Sequence, residues 1–437
     1  MVGRTPPACV RAPGACRRRQ WQARTISLDT GGCVDLKSGY PWWAVRNGLM
    51  REFPALGEDL CCEVVVLGAG ITGALIADEL VRHGHEVAVL EQRDVGWGST
   101  AASTALLQYE IDTHLVDLAA RYGERQAVLA YRACAEAIPV LGELAREVGA
   151  VDFADMDSLY CASRRRDLDT LAEEFRMRRR HGFDVEWLTP EAVRSGFGVT
   201  VPGAILSQQA ARIDPYRMAW RLFARMARAG ARVFDRSRIE AIRGGPRGVR
   251  VRMRSGHEVR AEHLVLAGGY GNQRWLSKSV ARNRSSYAFI TDPIEPGRLA
   301  ALRRTMVWET ARPYLYLRST GDHRLLVGGE DDAIDVPARR DARVDAKAAR
   351  LARRLGRLFP DLDARPAFAW AGTFAETDDG LPFFGPHREH GPRVHFAMAY
   401  GGNGITYSMI GAGLVRARIE GRRHPLARLF SFARTGG

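Results

Sequence analysis

The chain has 437 residues, of which 46% are hydrophobic and 26% are charged. These proportions exclude a fibrous or wholly disordered protein, and the length predicts roughly two or three structural units. The sequence has neither a run of about 18 apolar residues nor an apolar export signal, so we expect no membrane span and a cytoplasmic location. The seven cysteines form no CxxC pair and no metal-ligand spacing with histidine, which indicates reduced thiols and no metal site.

Residues 1–24 contain six arginines and no acid, so this stretch carries +6 of the net charge of +14 and leaves +8 over the rest of the chain. This stretch is rich in Pro, Gly and Arg and has no periodicity, so we predict a disordered basic tail over residues 1–34. A basic anchoring arm and a dispensable extension are both compatible with it. The arginine runs at 164–166 and 178–180 have acids between them, as is typical of a solvated helix face.

An aromatic segment follows the tail, and its residues 40–43 need a surface to pack against. We therefore predict an N-terminal arm over residues 35–59 that lies on the body of the protein. Beyond it, the apolar pattern predicts a strand at 63–67, a helix at 74–82, a strand at 86–90, helical segments at 115–148 and 164–181, a helix at 215–229, strands from 231 to 329 and a charged helix at 341–358. Pro139 predicts a kink or break in the first helical segment, and Asp214 is expected to cap the helix that starts at Pro215.

A glycine turn links the first strand to the first helix and has the spacing of a dinucleotide fingerprint. The turn comprises Gly68, Ala69, Gly70, Ile71, Thr72 and Gly73. Its first glycine permits the tight turn, its second admits a pyrophosphate, and its third lets the helix pack on the sheet, while the helix N-terminus attracts the phosphates. Glu91 and Gln92 end the second strand, where a carboxylate accepts bonds from ribose hydroxyls and repels a 2′-phosphate. FAD or NAD is therefore favoured over NADP.

A run of small and hydroxylated residues at 96–107 distinguishes FAD from NAD. Such a run lets the backbone reach a large planar ligand, and its hydroxyls can meet phosphates or flavin edges; a simple helix cap is the alternative. From here on, the sequence resembles the FAD-dependent oxidoreductases of the D-amino-acid oxidase superfamily, particularly the glycine oxidase, sarcosine oxidase and γ-glutamylputrescine oxidase branch. The motifs that carry this resemblance are the fingerprint, the run at 96–107, the segment 211–215, the strand 264–269 and the glycine-rich segments 379–385 and 400–406.

The resemblance implies an α/β (α+β) two-domain fold, in which a Rossmann-type FAD-binding domain is interleaved with an antiparallel-sheet substrate domain. The same interleaving follows from the parallel start of the chain and its later antiparallel segments. The predicted FAD-binding parts are residues 60–150, 211–277 and 371–437, and the predicted substrate parts are residues 151–210 and 278–370.

The resemblance also implies the site residues. Those that wrap the diphosphate and flavin are Gly98, Ser99, Thr100, Ser103, Ala105 and Leu106; Ile239 meets the adenine and Gly268 follows the strand at 264–267. The loop expected to face the flavin pyrimidine contains Gly401, Gly402, Asn403, Gly404, Ile405 and Thr406. Arg318 matches an arginine that binds a substrate carboxylate, and a surface arginine at a turn is the alternative. Tyr316 would point the same way, with Tyr287 and Tyr407 as further candidates.

The implied reaction is oxidation of the C–N bond of a small-molecule amine or amino acid by hydride transfer to flavin N5, giving an imine that hydrolyses. Relatives with covalent flavin have a Cys near residues 370–373 or a His in the Ser-Thr run; neither occurs here, so noncovalent FAD is predicted. The lysine of sarcosine-type oxidases is also missing from 324–328, which leaves oxygen and a quinone or carrier protein open as electron acceptors.

Two other functions remain compatible with the sequence. The net charge allows a flavoprotein that acts on tRNA, although the basic tail accounts for much of that charge and no specific nucleic-acid binding is expected. A noncatalytic FAD-binding subunit of a hetero-oligomer is the other. The oligomeric state does not follow from the sequence.

Overall fold

The computed structural model describes residues 25–27 and 35–435. The predicted disordered tail therefore lies outside the described residues, with one exception. Thr25–Ser27 forms a strand that pairs antiparallel with residues 241–243. These three residues contradict the prediction of a tail disordered over residues 1–34, because their backbone forms a strand at the edge of a sheet.

The regular elements agree with most of the predicted ones. In chain order the strands are β1 (Thr25–Ser27), β2 (Leu60–Leu67), β3 (Val87–Leu90), β4 (Leu106–Gln108), β5 (Ala154–Cys161), β6 (Val185–Leu188), β7 (Ala204–Arg212), β8 (Arg232–Phe234), β9 (Ile239–Gly245), β10 (Gly248–Met253), β11 (Glu258–Leu266), β12 (Arg282–Ile290), β13 (Thr305–Glu309), β14 (Leu315–Ser319), β15 (Leu325–Asp332), β16 (Phe368–Glu376), β17 (Phe383–Pro386) and β18 (Val394–Met398). The α-helices are α1 (Trp42–Asn47), α2 (Ile71–Arg82), α3 (Ser99–Ala102), α4 (Leu115–Tyr122), α5 (Glu124–Val148), α6 (Leu168–Arg180), α7 (Pro190–Phe197), α8 (Pro215–Arg228), α9 (Pro337–Asp341), α10 (Val344–Leu358) and α11 (Gly404–Ile419).

The first sheet has a parallel centre and an antiparallel side. Its described strands follow the order β1-β9-β10-β11-β2-β3-β8, and β18 joins the C-terminal half of β11 with β17 beside it. The strands β11, β2, β3 and β8 run parallel, so their C-terminal ends meet at one edge. That edge is where an open α/β sheet binds a nucleotide.

The second sheet is largely antiparallel. Its described strands follow the order β16-β12-β15-β14-β13-β5-β7-β4, with β6 also paired to β7. The chain enters this sheet with β4, leaves it after β7 and returns to it from β12 to β16. The two sheets are thus interleaved along the sequence, which confirms the predicted fold class.

The proposed domain boundaries remain predictions, and two strands depart from them. β4 and the C-terminal part of β16 pair in the second sheet, although both were assigned to the FAD-binding domain. The predicted boundaries therefore assign β4 and this part of β16 to one domain, although their hydrogen bonds place them in the sheet of the other.

The helices cover the sheets with apolar faces, and one predicted helix break lies elsewhere. α2, α5, α8 and α11 share a core with the first sheet, and α10 packs Leu351 and Leu355 against the second. α8 begins with Asp214, whose side chain accepts a hydrogen bond from the Arg217 N–H, as predicted. The expected break at Pro139 is wrong: α5 continues through it, and the helical segment divides at Gly123, which has φ +84°.

The predicted aromatic arm contains α1 and contacts the body of the protein. Trp43 is fully buried and its indole N–H donates to the Ser103 carbonyl oxygen at 2.7 Å. Trp42 contacts Phe368, and Tyr40 is exposed. No helix in the described part of the chain combines the length and apolarity needed to cross a membrane.

Candidate active site

A cavity of about 330 Å³ lies between the two sheets. On one side it is lined by the C-terminal ends of β2, β3 and β11, together with α3 and the loop before α11. On the other side it reaches the face of the second sheet formed by β12 to β16. One enclosed space therefore connects the nucleotide-binding edge of the first sheet with the side chains of the second.

The glycine turn after β2 is shaped by close backbone packing. Gly68 has φ +109°, and a Cβ added to it would lie 2.5 Å from the Ala267 carbonyl oxygen. A Cβ on Gly73 would lie 1.9 Å from the Gly68 carbonyl oxygen. Glycine is therefore required at both positions by the backbone itself, as the fingerprint predicts.

Four residues of this turn line the cavity and two lie behind it. Those that line it are Gly68, Gly70, Ile71 and Thr72, whereas Ala69 and Gly73 do not. The Ile71 N–H donates to the Thr100 hydroxyl at 2.9 Å, which ties the start of α2 to α3. The structure thus supports a backbone cradle, with Gly73 serving the packing of α2 rather than contacting a ligand.

Glu91 lies at the end of β3 and is held by backbone donors. Its carboxylate accepts hydrogen bonds from the Ala69 N–H at 2.8 Å and the Arg93 N–H at 2.9 Å. Burial raises the pKa of this carboxyl, and the same two N–H groups lower it. Glu91 and Gln92 both line the cavity, next to the glycine turn, where a ribose would follow a pyrophosphate.

The hydroxylated run also borders the cavity. All six predicted ligand residues of the run line it, namely Gly98, Ser99, Thr100, Ser103, Ala105 and Leu106. Ile239 and Gly268 line it as well. Ala105 has φ +50°, an uncommon conformation for a residue with a side chain. The Gly268 N–H donates to the Asn272 side chain at 3.1 Å. These positions form a wall of backbone and small side chains against which a planar ligand fits.

The loop before α11 is only partly as predicted. Gly401, Gly402, Asn403, Gly404 and Ile405 line the cavity. The Gly401 N–H donates to the Ala375 carbonyl oxygen and the Gly402 N–H to the Asp112 carboxylate, both at 2.8 Å. Two of the N–H groups expected to face a flavin therefore already have partners, and the start of α11 at Gly404 is the remaining positive end.

The other two polar residues of this loop hold the backbone after β4. The Asn403 amide donates to the carbonyl oxygens of Gln108 and Glu110, both at 2.9 Å. Thr406 does not line the cavity, and its hydroxyl donates to the Gln108 carbonyl oxygen at 3.3 Å. The side-chain role of Thr406 is thus structural, which corrects the prediction of a ligand contact.

Arg318 is not placed in the cavity, which contradicts its predicted role as a carboxylate ligand. Its side chain is fully buried, and its three guanidinium nitrogens donate to the carbonyl oxygens of Thr104 at 2.8 Å, Ser319 at 3.1 Å and Ile213 at 3.1 Å. Burial lowers the pKa of Arg318 to about 10, so it remains charged at neutral pH. These bonds join β14 to the residue after β7 and to the segment before β4, and the side chain lines neither this cavity nor the second one described below.

The predicted tyrosines divide between the cavity and the core. Tyr316 lines the cavity and its hydroxyl lies 3.1 Å from the Ser286 hydroxyl. Tyr287 also lines it, with its hydroxyl donating to Asp332 at 3.2 Å. Tyr407 is buried behind the loop and donates to the Gly380 carbonyl oxygen at 2.7 Å, so its candidacy is wrong.

Several cavity residues carry no motif and were missed by the sequence reasoning. The cavity is also lined by Trp308, Tyr314, Glu110, Asp112, Asp331 and Glu376. A second cavity of about 450 Å³ shares three of these carboxylates and Gly401 with the first, and it adds Arg284 and Arg312. Arg312 follows the turn after β13, and its guanidinium carbon lies 3.7 Å from the centre of the Tyr314 ring. The alternation of aromatic residues along β13 and β14 was the one available signal.

The carboxylates in the cavity differ in their partners. Glu376 pairs with Arg284 at 2.9 Å. Glu110 is 3% exposed and lies 3.7 Å from Arg178, and burial raises the pKa of this carboxyl. Burial also raises the pKa of Asp331 to about 7. The end of the cavity next to the second sheet is therefore acidic and aromatic, and the adjoining second cavity adds two arginines.

Comparison with known proteins identifies the chain's relatives. A family model described as FAD dependent oxidoreductase matches residues 63–418. Glycine oxidase from Geobacillus kaustophilus (strain HTA426) is 27% identical over 390 residues, which cover 85% of this chain and 96% of that protein. Gamma-glutamylputrescine oxidoreductase from Escherichia coli (strain K12) is 26% identical over 396 residues, or 87% of this chain and 88% of that protein.

Solved structures share the fold. The crystal structure of glycine oxidase from Geobacillus kaustophilus matches with a TM-score of 0.70 at 22% identity, covering 85% of this chain and 98% of the other. The crystal structure of L-proline dehydrogenase from P. horikoshii matches with a TM-score of 0.71 at 18% identity, covering 87% and 99%. At these identities the likeness shows a common fold and leaves the substrate open.

Proposed function

The chain belongs to the FAD-dependent oxidoreductase family whose model spans residues 63–418, and we propose that it oxidises a C–N bond of an amine or amino acid. The observation that supports this proposal is the continuous cavity, which runs from Gly68 and Glu91 to Trp308 and Tyr316. The first pair has the geometry to hold a nucleotide, and the second forms an enclosed apolar wall for a small substrate. The relatives named glycine oxidase and gamma-glutamylputrescine oxidoreductase favour the same reaction class.

The residues around the cavity fit FAD. A Cβ on Gly68 would lie 2.5 Å from the Ala267 carbonyl oxygen and one on Gly70 would lie 3.0 Å from the Thr100 hydroxyl, so glycine keeps this turn tight. The turn and the start of α2 line the cavity, where a pyrophosphate would bind. Glu91 would accept bonds from the ribose, and Ile239 would contact the adenine. The wall at 98–106 and the start of α11 would then hold the ring system, with the positive end of α11 facing developing negative charge.

When bound, FAD would supply the hydride acceptor for oxidation of the carbon beside the amine nitrogen, and the resulting imine would hydrolyse in water. The chain's own task is to orient that carbon and keep other molecules away from it. Trp308 and Tyr316 stand side by side on the facing strands β13 and β14 and restrict the position of an alkyl group. Arg312 takes the place of Arg318 as the candidate partner for a substrate carboxylate, since it lines the second cavity, which shares Asp331 with the first.

The test is an anaerobic screen of the purified protein with amino acids, N-methyl amino acids and polyamines. We expect a yellow protein whose flavin absorbance is lost with at least one of these compounds. A protein that dithionite reduces but none of the compounds reduces would contradict the proposal. Substrate-dependent bleaching by the isolated chain would also exclude a noncatalytic subunit.

Two further measurements resolve the points that the sequence left open. Admitting air to the reduced protein separates the acceptors: rapid return of the absorbance indicates oxygen, and slow return indicates a quinone or carrier protein. Acid precipitation tests the noncovalent attachment, for which we expect the flavin to remain in the supernatant.

A further inference from the structure

A β-bulge in β15 changes the direction of the side chains at its end. From Ile290↔Leu326 to Tyr287↔Gly329 the pairing with β12 is regular, but Ser285 is then opposite Asp332, so β15 contains one extra residue. The bulge includes Gly329 at φ +132° and Glu330 at φ +54°. A non-glycine residue at positive φ is strained, and bulges near active sites re-aim side chains.

The consequence of the bulge is that Asp331, rather than Glu330, faces the cavity. Gly328 lies under the Tyr316 ring, since a Cβ on it would come within 2.3 Å of that ring, so its side of β15 is the cavity side. Regular alternation would place residue 330 on this side. Instead Glu330 pairs with Arg354 of α10 at 2.8 Å on the opposite face, and Asp331 lines both cavities.

One oxygen of the Asp331 carboxylate lacks a hydrogen-bond partner, whereas the neighbouring acids Asp112 and Glu376 are paired. This oxygen, Oδ1, is buried and has no hydrogen-bond partner among residues 35–435. Asp112 accepts the Gly402 N–H, and Glu376 pairs with Arg284. A buried carboxylate oxygen without a partner is costly, and a bound cation would remove that cost.

Glu110 is a second acid of this kind. It is 3% exposed and lines the cavity, and neither of its carboxylate oxygens has a hydrogen-bond partner among the described residues. Its nearest cation, Arg178, lies 3.7 Å away. Two independent segments of the chain, the end of β15 and the loop after β4, thus place under-partnered negative charge in the same space.

An aromatic wall stands beside these acids. Trp308 of β13 is opposite Tyr316 of β14, Tyr160 of β5 stacks on Trp308 with ring centres 3.6 Å apart, and Tyr314 meets Trp308 edge-on at 6.2 Å. Trp308, Tyr314 and Tyr316 all line the cavity. Aromatic faces attract ammonium groups and pack against alkyl chains, so this wall suits a cationic alkyl ligand.

We propose that the substrate carries a second positively charged group besides the amine that is oxidised, and that Asp331 binds this group beside the aromatic wall. The inference rests on the proposed amine oxidation, in which the reacting nitrogen is neutral and cannot itself be the permanent cation. Two compound classes have this chemistry. One is a diamine, and the other is a basic amino acid whose carboxylate would meet Arg312.

The experiment compares matched compounds that differ by one ammonium group. In the anaerobic assay, putrescine is compared with n-butylamine, and each enantiomer of lysine with the same enantiomer of norleucine. We expect the second ammonium to lower the half-saturating concentration about tenfold or more in the native protein, in line with a charge-assisted hydrogen bond. If only lysine is preferred over its matched norleucine, the substrate is a basic amino acid. If only putrescine is preferred over n-butylamine, the substrate is a diamine.

The variant Asp331→Asn removes the charge and keeps the size. We expect it to bring the two members of each pair to within about threefold of each other, with the limiting rate of flavin reduction less affected than the half-saturating concentration. The matched control is Asp332→Asn, since Asp332 lies outside both cavities and bonds Arg343 at 3.0 Å. This control should keep the preference.

A binding measurement separates failure of this inference from failure of the proposed function. Putrescine should raise the melting temperature of the native protein more than n-butylamine does, whether or not turnover occurs. This difference between the two compounds should be absent in Asp331→Asn. If amines reduce the flavin but the second ammonium gives no advantage, or if the advantage survives in Asp331→Asn, the inference is wrong and the proposed function stands. If no amine or amino acid reduces the flavin, the proposed function fails and the thermal shift alone decides the role of Asp331. Asp331→Ser replaces Asp331→Asn if the latter does not fold.

Discussion

Arg318 and Arg312 carry the same guanidinium group in opposite surroundings. Arg318 is enclosed by backbone carbonyl oxygens from three segments, and Arg312 is exposed and stacked on Tyr314. A guanidinium buried among carbonyls holds strands together, whereas one at the mouth of a cavity can still bind a carboxylate. The surroundings, rather than the residue type, thus separate a structural arginine from a binding one.

We predict that Arg318→Lys lowers stability without changing carboxylate binding. A single ammonium cannot match three carbonyl oxygens arranged around a planar fork, so we expect a loss of roughly 3 kcal/mol, measured by thermal or urea unfolding. The half-saturating concentration of a carboxylate-bearing substrate should stay within about threefold of the native value. Arg312→Gln is the comparison: it should raise that concentration and leave stability nearly unchanged. The opposite result for the two variants would return Arg318 to the substrate site.

The charge of Asp331 also makes a prediction about stability and pH. Burial is the main reason why the pKa of the Asp331 carboxyl rises from 3.8 to about 7, and the carboxylates of Glu376 and Asp112 act in the same direction. The Ser286 hydroxyl and the Arg312 guanidinium act in the opposite direction. Between these pH values the folded state keeps a proton that the unfolded state has lost. Stability therefore falls as pH rises from about 4 to about 7, and it does not recover above that.

Asp331→Asn is neutral at every pH and should be free of this loss. We expect its melting temperature to exceed that of the native protein by a margin that grows between about pH 4 and about pH 7. A constant difference across this range would mean that Asp331 ionises at its ordinary pKa in the folded protein.

At the scale of elements, the contact between α2 and the end of β2 depends on glycine. The Gly73 Cα faces the Gly68 carbonyl oxygen, and both atoms belong to backbone that is held on each side by the sheet and the helix. Neither side can move away as a flexible side chain could. The spacing of the fingerprint is therefore a consequence of how closely α2 approaches the sheet.

We predict that Gly73→Ala abolishes retention of FAD. The added methyl carbon would lie 1.9 Å from the Gly68 carbonyl oxygen, so α2 must shift away from the turn that cradles the pyrophosphate. The measurement is the ratio of flavin to protein after purification, with circular dichroism to follow the fold. Gly356→Ala in α10 is the control, because its methyl group meets no atom within 4 Å; it should keep the flavin. A normal flavin content in Gly73→Ala would contradict the packing role.

Other elements show where local patterns were insufficient. Pro139 predicted a break, yet α5 continues through it because tertiary packing buries its neighbours Ile138 and Leu141. Gly123, with φ +84°, ends α4 instead. The paired glycines 328–329 were a signal for the bulge in β15, since glycine inside a strand often marks one.

At the scale of the whole molecule, the cavity exists because two interleaved sheets meet. The glycine turn belongs to the first sheet and the aromatic wall to the second, and the chain passes between the sheets several times. The residues that line the cavity all come after residue 35, whereas six arginines lie in residues 1–24, before the described strand β1. Trimming the chain can therefore remove this positive charge without removing any residue of the cavity.

We predict that removing residues 2–24 leaves the flavin content and the anaerobic reduction unchanged. The cut spares Thr25–Ser27, because β1 pairs with β9 at the edge of the first sheet. Any retention on an RNA column should be sensitive to salt and should be lost in the trimmed protein, since it would come from the arginine-rich segment. Strong retention by the trimmed protein would instead favour the hypothesis that the enzyme acts on RNA.

The sequence alone determined the family, the cofactor and the fold class, because the motifs that indicate them, above all the fingerprint from Gly68 to Glu91 and the run at 96–107, are local structures. The strand, turn, helix and second strand of the fingerprint are consecutive, so neighbouring residues dictate their own geometry. The direction of Arg318 and Asp331 was decided only by the tertiary structure. Thr104 and Ile213 come from distant segments to enclose Arg318, and one extra residue in β15 turns Asp331 into the cavity. A strand alternates its side chains with a period of two, so a single bulge reverses which of them reach a substrate.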